Sequence, residues 1–118
     1  MSGAADTLEA LLDALDARDG AKLTSMLGED AVYDPGDGGR VIGAAEIRDA
    51  AIQRATALDE SHADRAIMVS SDGQRASAEV TLRGRNQAGA AYAVPACIVV
   101  ELEAGRVVRL TRYRGSGQ

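Results

Sequence analysis

Leu8, Leu11, Leu12 and Leu15 recur at the i, i+3, i+4, i+7 spacing of one helix face and predict an amphipathic helix over Ala4–Arg18. Asp6 and Glu9 lie near its start, where the helix dipole favours negative charge. Asp19-Gly20 breaks it. A second short helix, Ala21–Leu27, turns Leu23, Met26 and Leu27 inward and stops at Gly28. A short strand over Ala31–Asp34, a turn over Pro35–Gly39 and a strand over Arg40–Ile42 form a hairpin-like pair. Gly43 opens a third helix reaching Leu58, with Ile47, Ala51, Ile52, Ala55 and Leu58 as its apolar stripe.

The period then changes to that of a sheet. His62–Ser70 reads as a strand and Ser71–Gln74 as a turn. Ala76, Ala78, Val80 and Leu82 alternate with Ser77, Glu79, Thr81 and Arg83. A connection over Gly84–Gly89 leads to a long strand, Ala90–Glu103. Ala104-Gly105 turns into the last strand, Arg106–Arg114, followed by a tail over Gly115–Gln118. Three helices followed by long antiparallel strands predict a single α+β domain over residues 1–118. Its helices pack in a strongly curved, mainly antiparallel sheet. Such a cone encloses an apolar pocket, here expected to be lined by Leu11, Ala14, Leu27, Val32, Ile52 and alternate residues of the later strands.

Composition sharpens that picture. The chain has no Phe, no Trp and only Tyr33, Tyr92 and Tyr113, so the core is aliphatic and the many small Ala side chains predict a roomy pocket. The net charge of −5 argues against nucleic acid as a partner, because phosphate binding needs a basic face. Arg106, Arg109, Arg112 and Arg114 stand at strand spacing, as on a solvated strand. A lone Cys97 excludes an intramolecular disulfide, and a lone His62 with no zinc-type spacing predicts no metal site. Pro35–Gly39 lacks the helix start and Lys of a phosphate loop, and no cofactor is expected. With no apolar run of membrane-spanning length and no secretory leader pattern, a cytoplasmic location without membrane contact is expected.

The stretch Val32-Tyr33-Asp34-Pro35-Gly36 carries the leading candidate for chemistry. Pro35 ends the strand and biases Asp34 to extended backbone, so Asp34 shares a face with Val32. If that face is the core face, burial raises the carboxylate's pKa and suits it to act as a general base. Asp-Pro-Gly-Asp-Gly-Gly is also strong turn chemistry, and Asp34 could simply open the turn. Tyr113 is a candidate phenolic donor, exposed if Leu110 faces the core. Arg112 shares the Leu110 face; it either rims the pocket or pairs with Glu101 or Glu103 across the hairpin. Glu60 reads as a solvated helix end. His62 reads as a surface residue at a strand start, Cys97 as a packed thiol, and Tyr33, facing away from Asp34, as structural.

The order of elements resembles the nuclear-transport-factor-2-like cone fold and, within it, the ketosteroid isomerase and SnoaL-like polyketide cyclase group. The residues that carry the likeness are Asp19 to Leu27, Glu29-Asp30-Ala31-Val32-Tyr33-Asp34-Pro35, Gly43-Ala44-Ala45-Glu46-Ile47-Arg48, Val94-Pro95 and Gly105-Arg106-Val107-Val108. The resemblance implies a cofactor-independent isomerase or cyclase acting on a small apolar, steroid- or polyketide-like molecule, with Asp34 as base. It also marks two departures. Ala10 occupies the position of the oxyanion-binding Tyr, and Cys97 that of the second, acidic donor. A register that turns Ile98 inward and Cys97 outward supplies no acid either. Losing one such donor costs about 2.7–4 kcal/mol of transition-state stabilisation. Epoxide-opening members imply a pairing of Asp34 with Glu60. A member without chemistry would be a ligand-binding or dimerisation module. Members of the group dimerise through the outer sheet face, so a homodimer using Val99 or Cys97 there is expected.

Overall fold

The leucine stripe folds as α1 (Ala4–Ala17), with Leu8, Leu11 and Leu12 fully buried. In this computed structural model, which describes residues 3–115, α2 (Gly20–Met26), β1 (Leu27–Asp34), β2 (Val41–Ile42) and α3 (Ala44–Ala57) follow. Then come β3 (Ser61–Val69), β4 (Arg75–Arg85), β5 (Ala91–Glu103) and β6 (Arg106–Arg114). Most of the expected tail, residues 116–118, lies outside the described residues. Arg18 ends α1 in the left-handed conformation, and its guanidinium donates to the Leu15 carbonyl at 2.7 Å and the Ala55 carbonyl at 2.8 Å, tying α1 to α3. Asp19 caps α2 by accepting from the Lys22 N–H.

Leu27 is extended and starts β1, so Gly28 is not the helix stop that the sequence predicts. A Cβ on Gly28 would lie 3.2 Å from the Val107 carbonyl oxygen, so the glycine serves a close approach of β1 to β6.

Six strands form one sheet in the order β2-β1-β6-β5-β4-β3, antiparallel except for the β1–β6 pair. The sheet curls but stays unclosed, with β2 and β3 at its edges. Register shifts between Ala63 and Ala66, between Leu27 and Val32, and between Glu101 and Leu102 mark where the ladder is irregular, the kind of feature that bends strands. The even-numbered face of β4 and β5 turns inward, with Ala78 opposite Ile98 and Leu82 opposite Val94, all buried. The α1 leucines pack on this face. Leu11, Ala14 and Leu27 are core residues, Ile52 packs against the core, and Ala10 is half-buried. The expected roomy pocket is therefore largely filled. Small alanines on the strands let the leucines approach the sheet, and close packing takes up the space.

Candidate active site

One end of the concave face keeps a chamber of about 20 Å³. Its polar wall is Tyr33, Arg54, Glu60, His62 and Arg112; Leu15, Ile98 and Leu110 close the apolar side. None of the lining residues expected from the helices and β1 (Ala10, Leu11, Ala14, Leu27, Val32, Ile52) borders it.

Glu60 reaches the chamber through the turn after α3. Asp59 adopts φ 48, the Glu60 N–H donates to the Ala55 carbonyl at 2.9 Å, and the side chain swings inward just before β3. Glu60 is 4% exposed. Its Oε2 accepts from Arg112 Nη2 at 2.9 Å and from the Tyr92 hydroxyl at 2.9 Å. Neither contact uses Oε1, and no buried side-chain oxygen among the described residues is sealed without a partner, so Oε1 keeps an open face. Arg112, 5% exposed, also donates through Nη1 to the Pro35 carbonyl at 3.4 Å. Taking two such charges out of water costs several kcal/mol per ion, so the pair is weak evidence for stability.

Two glycines make this arrangement possible. A Cβ on Gly36, which has φ +88, would lie 2.5 Å from the Arg112 carbonyl oxygen. A Cβ on Gly84 would lie 2.6 Å from both the Tyr92 hydroxyl and the Leu58 carbonyl oxygen. Gly84 thus opens the space through which Tyr92 reaches Glu60. The Arg114 guanidinium stands 5.0 Å over the Tyr92 ring. Burial, helped by the Glu60 carboxylate, pushes the Tyr92 phenol up to about 12. Burial likewise raises that of Tyr33, which is 5% exposed. Both phenols stay protonated donors at ordinary pH. On the far side of Arg54, its ion pair with Asp37 holds that carboxyl below the usual range.

His62 is 6% exposed and lines the same chamber, where the sequence suggested a surface position. Its Nδ1 lies 2.8 Å from Asp16 Oδ1 and its backbone N–H donates to the same oxygen at 3.1 Å. Arg65 fixes Asp16 from the other side, donating to Oδ2 at 2.9 Å.

Asp34 lies elsewhere. On β1 it is Ala31 and Tyr33 that are buried, while Val32 and Asp34 occupy the opposite face and are only half-buried. Asp34 Oδ1 accepts from the Gly36 N–H at 3.1 Å, the turn-opening role of an Asp before Pro-Gly. It does not line the chamber, so the structure does not bring it together with Glu60 there. The expected core face of β1 is corrected by one residue, because Tyr33 packs inward opposite Leu110. Arg112 pairs with Glu60, while Glu101 instead takes Arg75 and Arg109. Tyr113 is 60% exposed and pairs with Cys97 on the outer face. Cys97 therefore takes the outward register and Ile98 the inward one. Burial and Glu79 raise the Cys97 thiol.

Beyond Tyr92 the molecule opens into a cleft of about 480 Å³ lined by Leu58, Asn86, Gln87, Ala88, Tyr92 and Arg114. Tyr92 borders this cleft with its ring and reaches Glu60 with its hydroxyl. Among the described residues no group of three or more His, Cys, Asp or Glu is placed to hold a metal ion, and no helix is long and apolar enough to cross a membrane.

A SnoaL-like domain model matches residues 8–110. Among solved structures, a putative polyketide cyclase from Pseudomonas putida KT2440 is 27% identical, with a TM-score of 0.87 over 98% of this chain and 92% of that one. A putative polyketide cyclase from Xanthomonas campestris pv. campestris is 22% identical, with a TM-score of 0.86 over 95% and 90%. A putative isomerase from Bacillus subtilis is 24% identical, with a TM-score of 0.78 over 95% and 86%. The last two likenesses bear on the fold alone. A comparison with curated proteins returned no match.

Proposed function

Because the chain belongs to the SnoaL-like domain family, we propose that it is a cofactor-independent acid–base enzyme of the isomerase or cyclase type, with Glu60 rather than Asp34 as general base. One observation carries this. A buried carboxylate that lines a chamber has one oxygen held by Arg112 and Tyr92, while the other is free of those contacts. Arg112 keeps the carboxylate oriented and compensates its charge. The protonated hydroxyl of Tyr33, which lines the chamber, is a donor for an oxyanion developing on the substrate, while the Tyr92 hydroxyl is committed to Glu60. Tyr33 takes the part of the donors missing at Ala10 and Cys97. The substrate is a small, mostly apolar molecule of polyketide- or steroid-like character. It rests in the cleft beside Leu58 and Tyr92, and Tyr92 yields so that the reacting end reaches Oε1 of Glu60.

A second function has one observation in its favour. A chamber of about 20 Å³ has room for about one water molecule, which suits a module that binds in the outer cleft and does no chemistry.

The small apolar probe 5-nitrobenzisoxazole separates the two, because its ring opens when a base removes one C–H proton. The enzyme reading expects acceleration over buffer, a fall of about 10²-fold or more in Glu60→Gln, and near-wild-type rates in Asp34→Asn. Loss in Asp34→Asn alone contradicts the assignment of the base. No acceleration by the unmodified chain favours the binding module.

A further inference from the structure

His62 is the chain's one histidine, and the role just proposed for the chamber does not use it. Its imidazole is buried against the same chamber as Glu60. Asp16, an acceptor on α1, holds Nδ1, which fixes the ring and leaves Nε2 as the nitrogen free of that contact. Nε2 has no hydrogen-bond partner among the described residues and is not wholly enclosed, and His62 lines the chamber. A purely structural tie between α1 and β3 needs neither a buried imidazole nor an open second nitrogen, since Arg65 already bridges Asp13 and Asp16 to β3.

We propose that His62 is the second proton-transfer group of this site, with Asp16 as its positioning residue; the proposal rests on Glu60 acting as base in the same chamber. Glu60 Oε1 takes a proton from the carbon next to a carbonyl, and the C–H electron pair becomes a dienolate. Protonated His62 gives its Nε2 proton to the distal carbon of that dienolate. A new C–H bond forms there, the double bond moves into conjugation and the carbonyl is restored. His62 then regains a proton from Glu60 or solvent, so atoms and electrons balance. Asp16 accepts from Nδ1–H and stabilises the imidazolium, the orienting role a carboxylate plays behind a catalytic histidine. The groups facing His62 are Asp16 from α1, Arg65 from its own strand, Glu60 from the preceding turn, Arg54 from α3, Tyr33 from β1 and Arg112 from β6.

The test uses 3-cyclohexenone in D₂O with the full chain, read by NMR for conversion to 2-cyclohexenone and for deuterium at the receiving carbon. Ring-¹⁵N labelling gives one pair of histidine signals to titrate alongside. The expected result has three parts. The wild type places solvent deuterium at the receiving carbon. Its rate falls at high pH with the same midpoint as the His62 ring nitrogens. His62→Gln loses about 10²-fold in kcat together with that limb. Asp16→Asn keeps the histidine and lowers kcat at unchanged KM, which covers the case in which His62→Gln fails to fold. If Glu60→Gln abolishes turnover while His62→Gln keeps rate, limb and deuterium pattern, the His62 assignment is overturned and Glu60 stands. If neither substitution matters, or the wild type converts no probe, both assignments fall.

Discussion

The end of β1 and the α3–β3 junction each present a carboxylate, and they treat it in opposite ways. At β1, Asp34 faces outward and accepts from the Gly36 N–H, a local contact that shapes the turn. At the junction, Glu60 is buried and bonded to residues far along the chain, Arg112 and Tyr92. The Asp-Pro-Gly motif nevertheless serves the second region. The Pro35 carbonyl accepts from Arg112, and Gly36 lets that turn lie against the Arg112 backbone. On the proposed assignment, a conspicuous motif supports the site without supplying its reactive group.

The sharpest way to break this contrast is Arg112→Met. It leaves the Glu60 carboxylate buried without its cation, and the expected loss is about 3–5 kcal/mol in urea unfolding. Adding Glu60→Gln should restore part of it, and an equal loss in the double variant would argue against a coupled pair. Next comes Gly84→Ala, whose methyl would crowd the Tyr92 hydroxyl and the Leu58 carbonyl. Overpacking of this kind costs about 1–3 kcal/mol, measurable by thermal melting. Wild-type stability against Gly84→Ala would show that Tyr92 does not need the space.

Alkaline titration gives a smaller effect. The Tyr92 phenol is raised above its unfolded value of 10.0 to about 12, so the folded state holds that proton more tightly. Its contribution is complete below pH 10 and is lost as pH rises toward 12. Chemical denaturation across that range should show the fall, reduced in Tyr92→Phe; an identical fall in that variant would assign it to other groups. The smallest effect belongs to Asp34→Asn. Asn keeps an oxygen for the Gly36 N–H, and the change should stay within about 0.5 kcal/mol.

Much of the fold is legible in the residues. The leucine stripe of α1 and the alternation from Ala76 to Leu82 predict the observed faces. The same alternation extended backward from Val94 places Tyr92 inward, a signal carried by the residue pattern itself. Arg112 is readable as sharing the Leu110 face, but its partner is not, because Glu60 is 52 residues away. β1 misleads because a short strand offers too few positions to fix its core face. There Val32 looks as apolar as Tyr33, and only the packing of Tyr33 beside Leu110 decides. His62 is illegible for a similar reason, since its acceptor Asp16 lies on another element. Nor could composition give the chamber's size, because alanine permits either a cavity or close approach.

The most direct measurement is side-chain carboxyl ¹³C NMR of the labelled chain while 2-naphthol, an apolar phenol, is added. The Glu60 signal should move on binding and the Asp34 signal should stay where it is. A shift at Asp34 with Glu60 unmoved would contradict the assignment of the working site to the concave face.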